Sequence, residues 1–383
     1  MFDSWAEQEN RHGRDRCYED RAGELGERLL EIMAAEAAFV IDVQRRNMRR
    51  DSARRRITCD SERPEIRPTT VSSVRPAGSQ RAILCPMADV LRVAQLSDTH
   101  FLEPGIAPEG GHGYDTSEAF NAVLDDLRGH QLDLVVVTGD IADNGRTEQY
   151  EIAAAAFARL PCPVFVCPGN HDFDASFRAA FRAPDVFVPR VTQHGPWSFV
   201  YADSNAGAMI GDDTGRLFDP PGEDRLHGNG SLGAAESAWL RVATAGHDAD
   251  HVFVWLHHPP DSDVPLSNDP VYTAEWEAVV ADRPKVRGFG GGHTHVPSVY
   301  EFAGRPVFVA PSLKNNFDLL ASTWLPPGYR TFEFGNDGTV TSEVHLVDDE
   351  RWPRRAFGRA IRALFMGEIS YSELAEIAAR RSR

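Results

Sequence analysis

The feature that most constrains the fold is a series of apolar, β-rich runs that each end in polar or glycine-rich sequence. These runs are VLRVAQLS, LDLVVVTGD, CPVFVCPGN, HVFVWLHHP and VRGFGGGHTH. Helical patterns separate several of them, as in TSEAFNAVLDDLRGH, RTEQYEIAAAAFARL and LGAAESAWLRVATAG. Such an alternation indicates strands buried on both faces in a layered α/β fold. Two later segments, SVYEFAGRPVFVAPS and YRTFEFGNDGTVTSEVHLV, predict hairpins. We therefore predict a mixed sheet, or two packed sheets, with flanking helices.

Composition divides the 383 residues into three parts: 1–86, 87–350 and 351–383. The first part is rich in arginine and combines one amphipathic helical pattern with a Pro/Ser/Thr-rich stretch that is typical of a linker. The sequence changes abruptly at Met87, which is either the true translation start or the end of a regulatory or docking arm. The third part contains RRAFGRAIRALFM, a basic amphipathic helix that we expect to cover its own domain or a homodimer interface. Peripheral contact with a membrane surface or an acidic partner is the alternative.

The charge of the chain disfavours one class of partner. The net charge is −17; by the same sum of Lys and Arg against Asp and Glu, the middle part carries roughly −23, the first part is close to neutral and the third carries about +5. Because so acidic a surface repels a phosphate backbone, we expect a small anion drawn to a local metal site rather than a nucleic acid polymer. Five sparse cysteines, no window of 18 apolar residues and a charged N-terminus predict a cytoplasmic protein without a transmembrane segment.

The polar ends of the apolar runs carry side chains suited to metal binding. The first and last runs end in Asp98-Thr-His100 and His293-Thr-His295, two pairs with the same spacing. In an extended segment residues i and i+2 point the same way, so each pair can direct two ligands to one place. Ligands bind in the crevice outside the carboxyl ends of the strands of an open α/β sheet. We therefore expect both pairs to belong to one site.

The same reasoning adds the motifs that end the other runs. They contribute Asp140 and Asp143 from GDIAD, Asn170, His171 and Asp172 from GNHD, and His257 from LHHPP. Two metal ions can be satisfied by these side chains. One set is Asp98, His100, Asp140 and His295; the other is Asp140, Asn170, His257 and His293. Asp140 would bridge the two, since one carboxylate can hold two cations about 3.5–4 Å apart. Oxygen and imidazole ligands without thiolate suit Mn, Fe or Zn.

With its motifs in this order, the chain resembles the calcineurin-like metallophosphoesterase superfamily, and within it the bacterial class III cyclic-nucleotide and glycerophosphodiester phosphodiesterases. The resemblance covers roughly residues 90–347 and includes five motif blocks. It implies a four-layer α/β/β/α sandwich with a dinuclear metal site and the seven ligands named above. It also implies that His257, rather than His258, is the ligand in LHHPP.

Phosphodiester hydrolysis follows from such a site. A hydroxide that bridges two cations can attack phosphorus in line, while both cations offset the growing negative charge. We expect His171 to stabilise the phosphoryl oxygens or to protonate the leaving alkoxide, with Asp143 as the residue that orients it. Asp172 is expected to position its loop. His112 and Asn315 are weaker candidates for contact with the substrate, since each lies in a loop that could reach the site.

The substrate remains open at this level. A 3′,5′-cyclic nucleotide such as cAMP is the first choice, and it rests on the resemblance alone. A glycerophosphodiester and a nucleotide-diphosphate conjugate are the alternatives among substrates. The alternative of another class is a phosphoesterase fold that serves as a non-catalytic protein scaffold. A scaffold predicts that ligand positions have been lost, whereas every expected ligand is present in this sequence.

Overall fold

A computed structural model describes residues 90–104, 106, 115–172, 174–181, 186–207, 230–246, 248–352, 354–370, 373–374 and 377. The first predicted boundary, at residues 86 and 87, and His112 lie outside this part of the chain. The predicted arm and the choice of start therefore stay predictions. No helix within the described residues is both long enough and apolar enough to cross a membrane.

The described strands follow the predicted runs closely. In chain order they are β1 Val90–Leu96, β2 Leu134–Thr138, β3 Val164–Cys167, β4 Val186–Phe187, β5 Val191–His194, β6 Trp197–Tyr201, β7 His251–Trp255, β8 Val286–Gly291, β9 Ser298–Phe302, β10 Arg305–Val309, β11 Asn316–Asp318, β12 Thr323–Leu325, β13 Gly328–Gly335 and β14 Val340–Leu346. All five apolar runs are confirmed as strands. Both predicted hairpins are confirmed, as β9–β10 and β13–β14.

The helices of the described part are short. They are α1 Thr116–Leu127, α2 Thr147–Phe157, α3 Asp174–Ala180, α4 Gly233–Ala243, α5 Pro270–Val280 and α6 Arg359–Phe365, with a 3₁₀ turn at Pro265–Ser267. Two begin at an aspartate whose carboxylate accepts free main-chain N–H groups, Asp115 before α1 and Asp269 before α5. The sequence patterns predicted α1, α2 and α4. They did not predict α5, whose start is marked by Asp269-Pro270.

Two six-stranded mixed sheets form the centre of the domain. The first has the order β14-β13-β1-β2-β3-β4 and the second the order β5-β6-β7-β8-β10-β9. Strands β1 to β4 are parallel to one another, as are β6, β7, β8 and β10. Antiparallel strands extend each sheet outward from these parallel sets. The carboxyl ends of the parallel strands therefore lie together at one edge of each sheet.

Three apolar clusters show that these sheets form four layers. The sheets face each other across an aromatic core that includes Trp197, Phe199, Trp255, Phe332 and Phe334. On its other face the first sheet packs against α1, α2 and α3, and the second packs against α4 and α5. Because the middle of each sheet is covered on both sides, strands such as β2, β3 and β7 are largely apolar, as the sequence indicated, whereas the edge strands β5, β9 and β14 are partly exposed. The predicted α/β/β/α sandwich is confirmed.

The C-terminal helix α6 packs on its own domain. Ile361 and Phe365 are buried beside Val264, Phe317 and Trp324, from the 3₁₀ region and the small β11–β12 hairpin. This packing is the first of the arrangements expected for the tail. The apolar face of α6 therefore contacts the β11–β12 hairpin. A homodimer and a peripheral contact with a membrane stay predictions.

Candidate metal centre

The candidate centre lies where the carboxyl ends of five parallel strands from the two sheets meet. Strands β1, β2 and β3 of the first sheet and β7 and β8 of the second each lead directly into one of the predicted motifs. The side chains that these motifs bring together are Asp98, His100, Asp140, Asp143, Asn170, His171, His257, His293 and His295. The centre therefore spans both sheets, and its geometry depends on how the two sheets are packed.

The main chain at these positions differs from the extended conformation expected from sequence. Asp98, His100, Asp140, His293 and His295 all have positive φ, between 41° and 69°. Left-handed backbone is uncommon for residues with a Cβ, and it persists only where the surroundings impose it. The Asp-x-His and His-x-His pairs thus direct two side chains to one place by sharp turns just beyond each strand, not by the alternation of a strand.

Two glycines are required by lack of space rather than by backbone conformation. A Cβ on Gly169 would overlap the carboxylate of Asp140, and a Cβ on Gly292 would overlap the hydroxyl of Ser97. Gly139 is required for both reasons, since its φ is 81° and a Cβ there would overlap the ring of His257. The glycines of these motifs therefore allow the main chains of neighbouring loops to approach the buried carboxylates closely.

Two buried carboxylates lie at the middle of the centre. Asp98 Oδ1 is 3.1 Å from His295 Nε2. Asp140 Oδ2 is 3.2 Å from His257 Nε2 and 3.5 Å from His100 Nε2. Four overlapping groups of three side chains have donor atoms within 4.8 Å of one another, and together they include every predicted imidazole and carboxylate ligand. One Asp140 oxygen thus lies beside a histidine from each of the two predicted ligand sets.

The predicted amide ligand joins this cluster. The side-chain oxygen of Asn170 is 3.1 Å from Nε2 of His257. On its other side, Nδ1 of His257 donates to the carbonyl of Thr138 at 2.8 Å, which fixes the orientation of the ring. A carbonyl can only accept a hydrogen bond, so Nδ1 keeps its proton and Nε2 is the nitrogen directed into the centre.

Neighbouring histidines keep the two central carboxylates ionised. Burial opposes ionisation of Asp98, yet His295 and His257 lower its pKa well below the usual range. The pKa of Asp140 is also lowered, since His257 and His171 outweigh the effect of burial. For His257 burial favours the neutral ring, but Asp140 and Asp98 raise its pKa to about 9. His257 is therefore a cation at neutral pH in the metal-free chain.

Two other histidines of the centre behave in the opposite way. Burial, together with the charge of Lys314, lowers the pKa of His100 to about 4. Burial and the nearby charge of His257 lower the pKa of His293 to about 3. Both rings are neutral at physiological pH and can offer a nitrogen lone pair.

These residues fit a metal centre. Nε2 of His100 is buried and has no hydrogen-bond partner among the described residues, an arrangement that is costly unless another group satisfies it, while its Nδ1 lies 3.1 Å from the Asp143 carboxylate. The donor set consists of carboxylate, amide and imidazole groups, which suits Mn, Fe or Zn. Cys162 and Cys167 are free thiols, one in β3 and one just before it, and belong to none of these groups.

Metal binding at this centre is expected to release a proton from His257. Below pH 9 the metal-free ring carries a proton on Nε2, and a cation can bind that nitrogen only after the proton leaves. The apparent affinity for Mn²⁺ should therefore rise about tenfold per pH unit up to about pH 9, then level off. Titration calorimetry in two buffers of different ionisation enthalpy counts the protons. An affinity that does not change between pH 6.5 and 8.5 would contradict this assignment of His257.

His171 and Asp143 are neighbours, and they meet through the main chain of Asp143. Nδ1 of His171 donates to the main-chain carbonyl of Asp143 at 2.6 Å. The carboxylate of Asp143 instead accepts a hydrogen bond from Lys314 at 2.8 Å, and it lies 3.1 Å from Nδ1 of His100. The side chain of His171 is 33% exposed, unlike the almost fully buried His100 and Asp140. It is thus oriented by a carbonyl and open to an incoming molecule.

Asp172 positions its loop, as expected. Its buried carboxylate accepts the main-chain N–H groups of Gly169, Ile141 and Ala142, and also the hydroxyl of Tyr150. Burial and the nearby charge of Asp140 raise its pKa to about 6. Asp172 therefore ties the loop after β3 to the loop after β2, which together supply four of the residues in the centre.

Two residues near the centre have roles that the sequence did not reveal. The side-chain oxygen of Asn315 accepts a hydrogen bond from Nδ1 of His295 and so supports a predicted ligand, while its contact with the substrate stays a prediction. His258, which sequence reasoning placed outside the ligand set, lies with its Nε2 3.1 Å from the Asn170 oxygen. Its Nδ1 is 2.9 Å from the hydroxyl of Ser204. The signal for this contact in the sequence was that His258 directly follows the predicted ligand His257.

Comparison with known proteins agrees with this geometry. The family model described as calcineurin-like phosphoesterase matches residues 91–297. The 3′,5′-cyclic adenosine monophosphate phosphodiesterase CpdA of Escherichia coli (strain K12) is 30% identical over 275 residues, which cover 68% of this chain and 92% of that protein. A probable cyclic nucleotide phosphodiesterase of Synechococcus is 27% identical, covering 69% and 95%. The glycerophosphodiester phosphodiesterase GpdQ of Enterobacter lignolyticus is 29% identical, covering 57% and 76%.

Proposed function

Because this chain belongs to the calcineurin-like phosphoesterase family and is a phosphodiester hydrolase, we propose that its substrate is a 3′,5′-cyclic nucleotide and that it acts with two metal ions. The observation that carries the two-metal part of the proposal is the position of Asp140. Its Oδ2 lies beside His100 on one side and His257 on the other. A relative named as a cAMP phosphodiesterase, matched over 92% of its length, supports the substrate.

Seven residues would hold the two ions in this proposal. One set is Asp98, His100, Asp140 and His295, and the other is Asp140, Asn170, His257 and His293. When bound, such ions lower the pKa of water and offset charge on the phosphoryl oxygens. The chain adds the positioning. The carbonyls of Thr138 and Asp143 fix the rings of His257 and His171, and the Asn315 amide fixes His295.

His171 is proposed as the residue that acts on the substrate itself. Its Nδ1 proton is committed to the Asp143 carbonyl, so Nε2 is the nitrogen that can face a substrate. In its charged form, Nε2 can donate to a phosphoryl oxygen or to the alkoxide that leaves when the cyclic ester opens. The main-chain carbonyl of Asp143 orients His171, and the carboxylate of Asp143 lies beside Nδ1 of His100.

The glycerophosphodiester hydrolase is the second candidate, supported by the similarity to GpdQ. A non-catalytic scaffold is disfavoured because each of the seven ligand positions holds a side chain able to bind a metal. The absence of nucleic acid partners and the cytoplasmic location stay predictions that rest on charge and on sparse cysteines.

A substrate panel tests the proposal. Metal-stripped protein is reloaded with Mn²⁺ and assayed on cAMP, cGMP, glycerophosphoethanolamine, a nucleotide-diphosphate sugar and bis(4-nitrophenyl) phosphate. We expect the highest kcat/KM for a cyclic nucleotide, and loss of all turnover with a chelator or in Asn170→Ala. Asn121→Ala, an exposed change on α1, serves as the matched control. A higher kcat/KM for glycerophosphoethanolamine would replace the substrate assignment, and turnover that survives both chelator and Asn170→Ala would overturn the metal requirement.

A further inference from the structure

Lys314 is an unusual residue in this chain and in this position. The sequence contains two lysines, Lys285 and Lys314, against many arginines. Lys314 is only 8% exposed and lies on the segment between β10 and β11. A buried lysine loses hydration and side-chain entropy, so it is retained only where a partner compensates for that loss. The partner therefore indicates what the residue does.

The ammonium of Lys314 holds the carboxylate of Asp143. Nζ donates to Oδ1 at 2.8 Å, and the amide of Asn144 donates to Oδ2 at 3.3 Å. Each carboxylate oxygen thus has its own donor, which fixes the plane of the group. Lys314 and Asp143 are 171 positions apart in the chain, so this contact joins the segment before β11 to the loop after β2.

Asp143 in turn contacts two residues of the candidate centre. Its Oδ1 lies 3.1 Å from Nδ1 of His100, a predicted metal ligand. Its main-chain carbonyl accepts the Nδ1 proton of His171, the residue proposed to act on the substrate. A shift of Asp143 would therefore move both rings. Such supporting partners set ring orientation and ligand strength in metal centres.

We propose that Lys314 is a positioning residue that fixes Asp143, and through it the His100 ring in the ligand set Asp98, His100, Asp140 and His295. The inference rests on the proposed two-metal function, because His100 matters here as a ligand. It assigns Lys314 no contact with the substrate. Its charge is the property that acts, so arginine should replace it and a neutral side chain should not.

The test is a Mn²⁺ titration of metal-stripped protein by calorimetry, followed by steady-state kinetics. In Lys314→Met we expect one of the two Mn²⁺ sites to weaken about 10- to 100-fold, while the other changes far less. The value of kcat at limiting Mn²⁺ should fall with that site, and KM should change little. Lys314→Arg should restore both sites to within a few-fold of the original protein.

Lys285→Met is the matched control. Lys285 is half-buried and its Nζ donates to the carbonyls of Gly246 and Ala249, at the end of the sheet away from the centre. We expect this variant to bind both ions normally. Equal effects of the two lysine changes, or unchanged Mn²⁺ binding in a folded Lys314→Met, would overturn the proposal.

A second variant tests the proposal if Lys314→Met fails to fold. Lys314→Met leaves the buried charge of Asp143 without its lysine partner. The double variant Lys314→Met, Asp143→Asn removes both charges and tests the same His100 ring. It should fold and retain the weakened site; normal Mn²⁺ binding in it would contradict the proposal.

Measurements on the unmodified protein distinguish a failure of this inference from a failure of the proposed function. If that protein binds two Mn²⁺ but hydrolyses no cyclic nucleotide, the substrate assignment fails while the titration still decides the role of Lys314.

Discussion

Replacement of Asp140 by asparagine is expected to lower kcat/KM by at least about a thousandfold. The removed oxygen is the one that lies beside both His100 and His257, so the variant loses the charge shared by the two ligand sets. Metal ions supply several kcal/mol of transition-state stabilisation, and each 1.36 kcal/mol corresponds to about a factor of ten. Metal analysis after dialysis against Mn²⁺ should find fewer than two ions per chain.

The structure indicates that this variant will fold. Asparagine keeps the oxygen that accepts the His171 main-chain N–H at 2.9 Å, and it has the same shape as aspartate. Thermal unfolding checks that point. Asp282→Asn, an exposed change at another positive-φ position, is the control. An Asp140→Asn enzyme that retains two ions and activity within tenfold of the original would contradict the bridging role.

Replacement of His171 by alanine is expected to lower kcat on a cyclic nucleotide about 10²- to 10⁴-fold, with metal content unchanged. The loss should depend on the leaving group. If His171 protonates the departing alkoxide, a nitrophenyl diester, whose leaving group needs no proton, should lose far less activity. Steady-state kinetics on both substrates measure the difference. His194→Gln, a change on β5 that lies outside the centre, is the matched control.

Two other outcomes for this variant are informative. Equal losses on the two substrates would assign His171 to the phosphoryl oxygens instead of the leaving group. Loss of metal together with activity would show that the ring holds the centre together, and this would contradict its role as a residue that acts on the substrate. The half-open position of His171 and its single committed nitrogen are the reasons to expect that this variant retains its metal ions.

The sequence was sufficient for the layered fold and for which side chains meet. Apolar runs that are buried on both faces, as in β2, are typical of a covered parallel sheet. Parallel strands bring their carboxyl ends to one edge, which predicts that Asp98 and Asp140 lie close together; His293 joins them through the packing of the second sheet. The short strands and helix α5 were not predicted, because their patterns are too brief or lack periodicity.

The details of the centre depended on contacts between distant segments. The left-handed backbone of Asp98 and His100 is imposed by surrounding loops, and no local propensity predicts it for these residues. The pairing of Lys314 with Asp143 joins two loops from separate parts of the chain, and neither loop carries a motif for it. Sequence predicted that Asp143 orients His171, but which group of Asp143 makes the contact is decided by loop conformation.

Anomalous scattering from crystals grown with Mn²⁺ is the most direct test of the central claim, that Asp140 bridges two metal ions. We expect two peaks about 3.5–4 Å apart. One should lie among Asp98, His100 and His295, the other among Asn170, His257 and His293, with the Asp140 carboxylate in contact with both. A single peak, or no peak between Asp98 and Asp140 at saturating Mn²⁺, would contradict that claim.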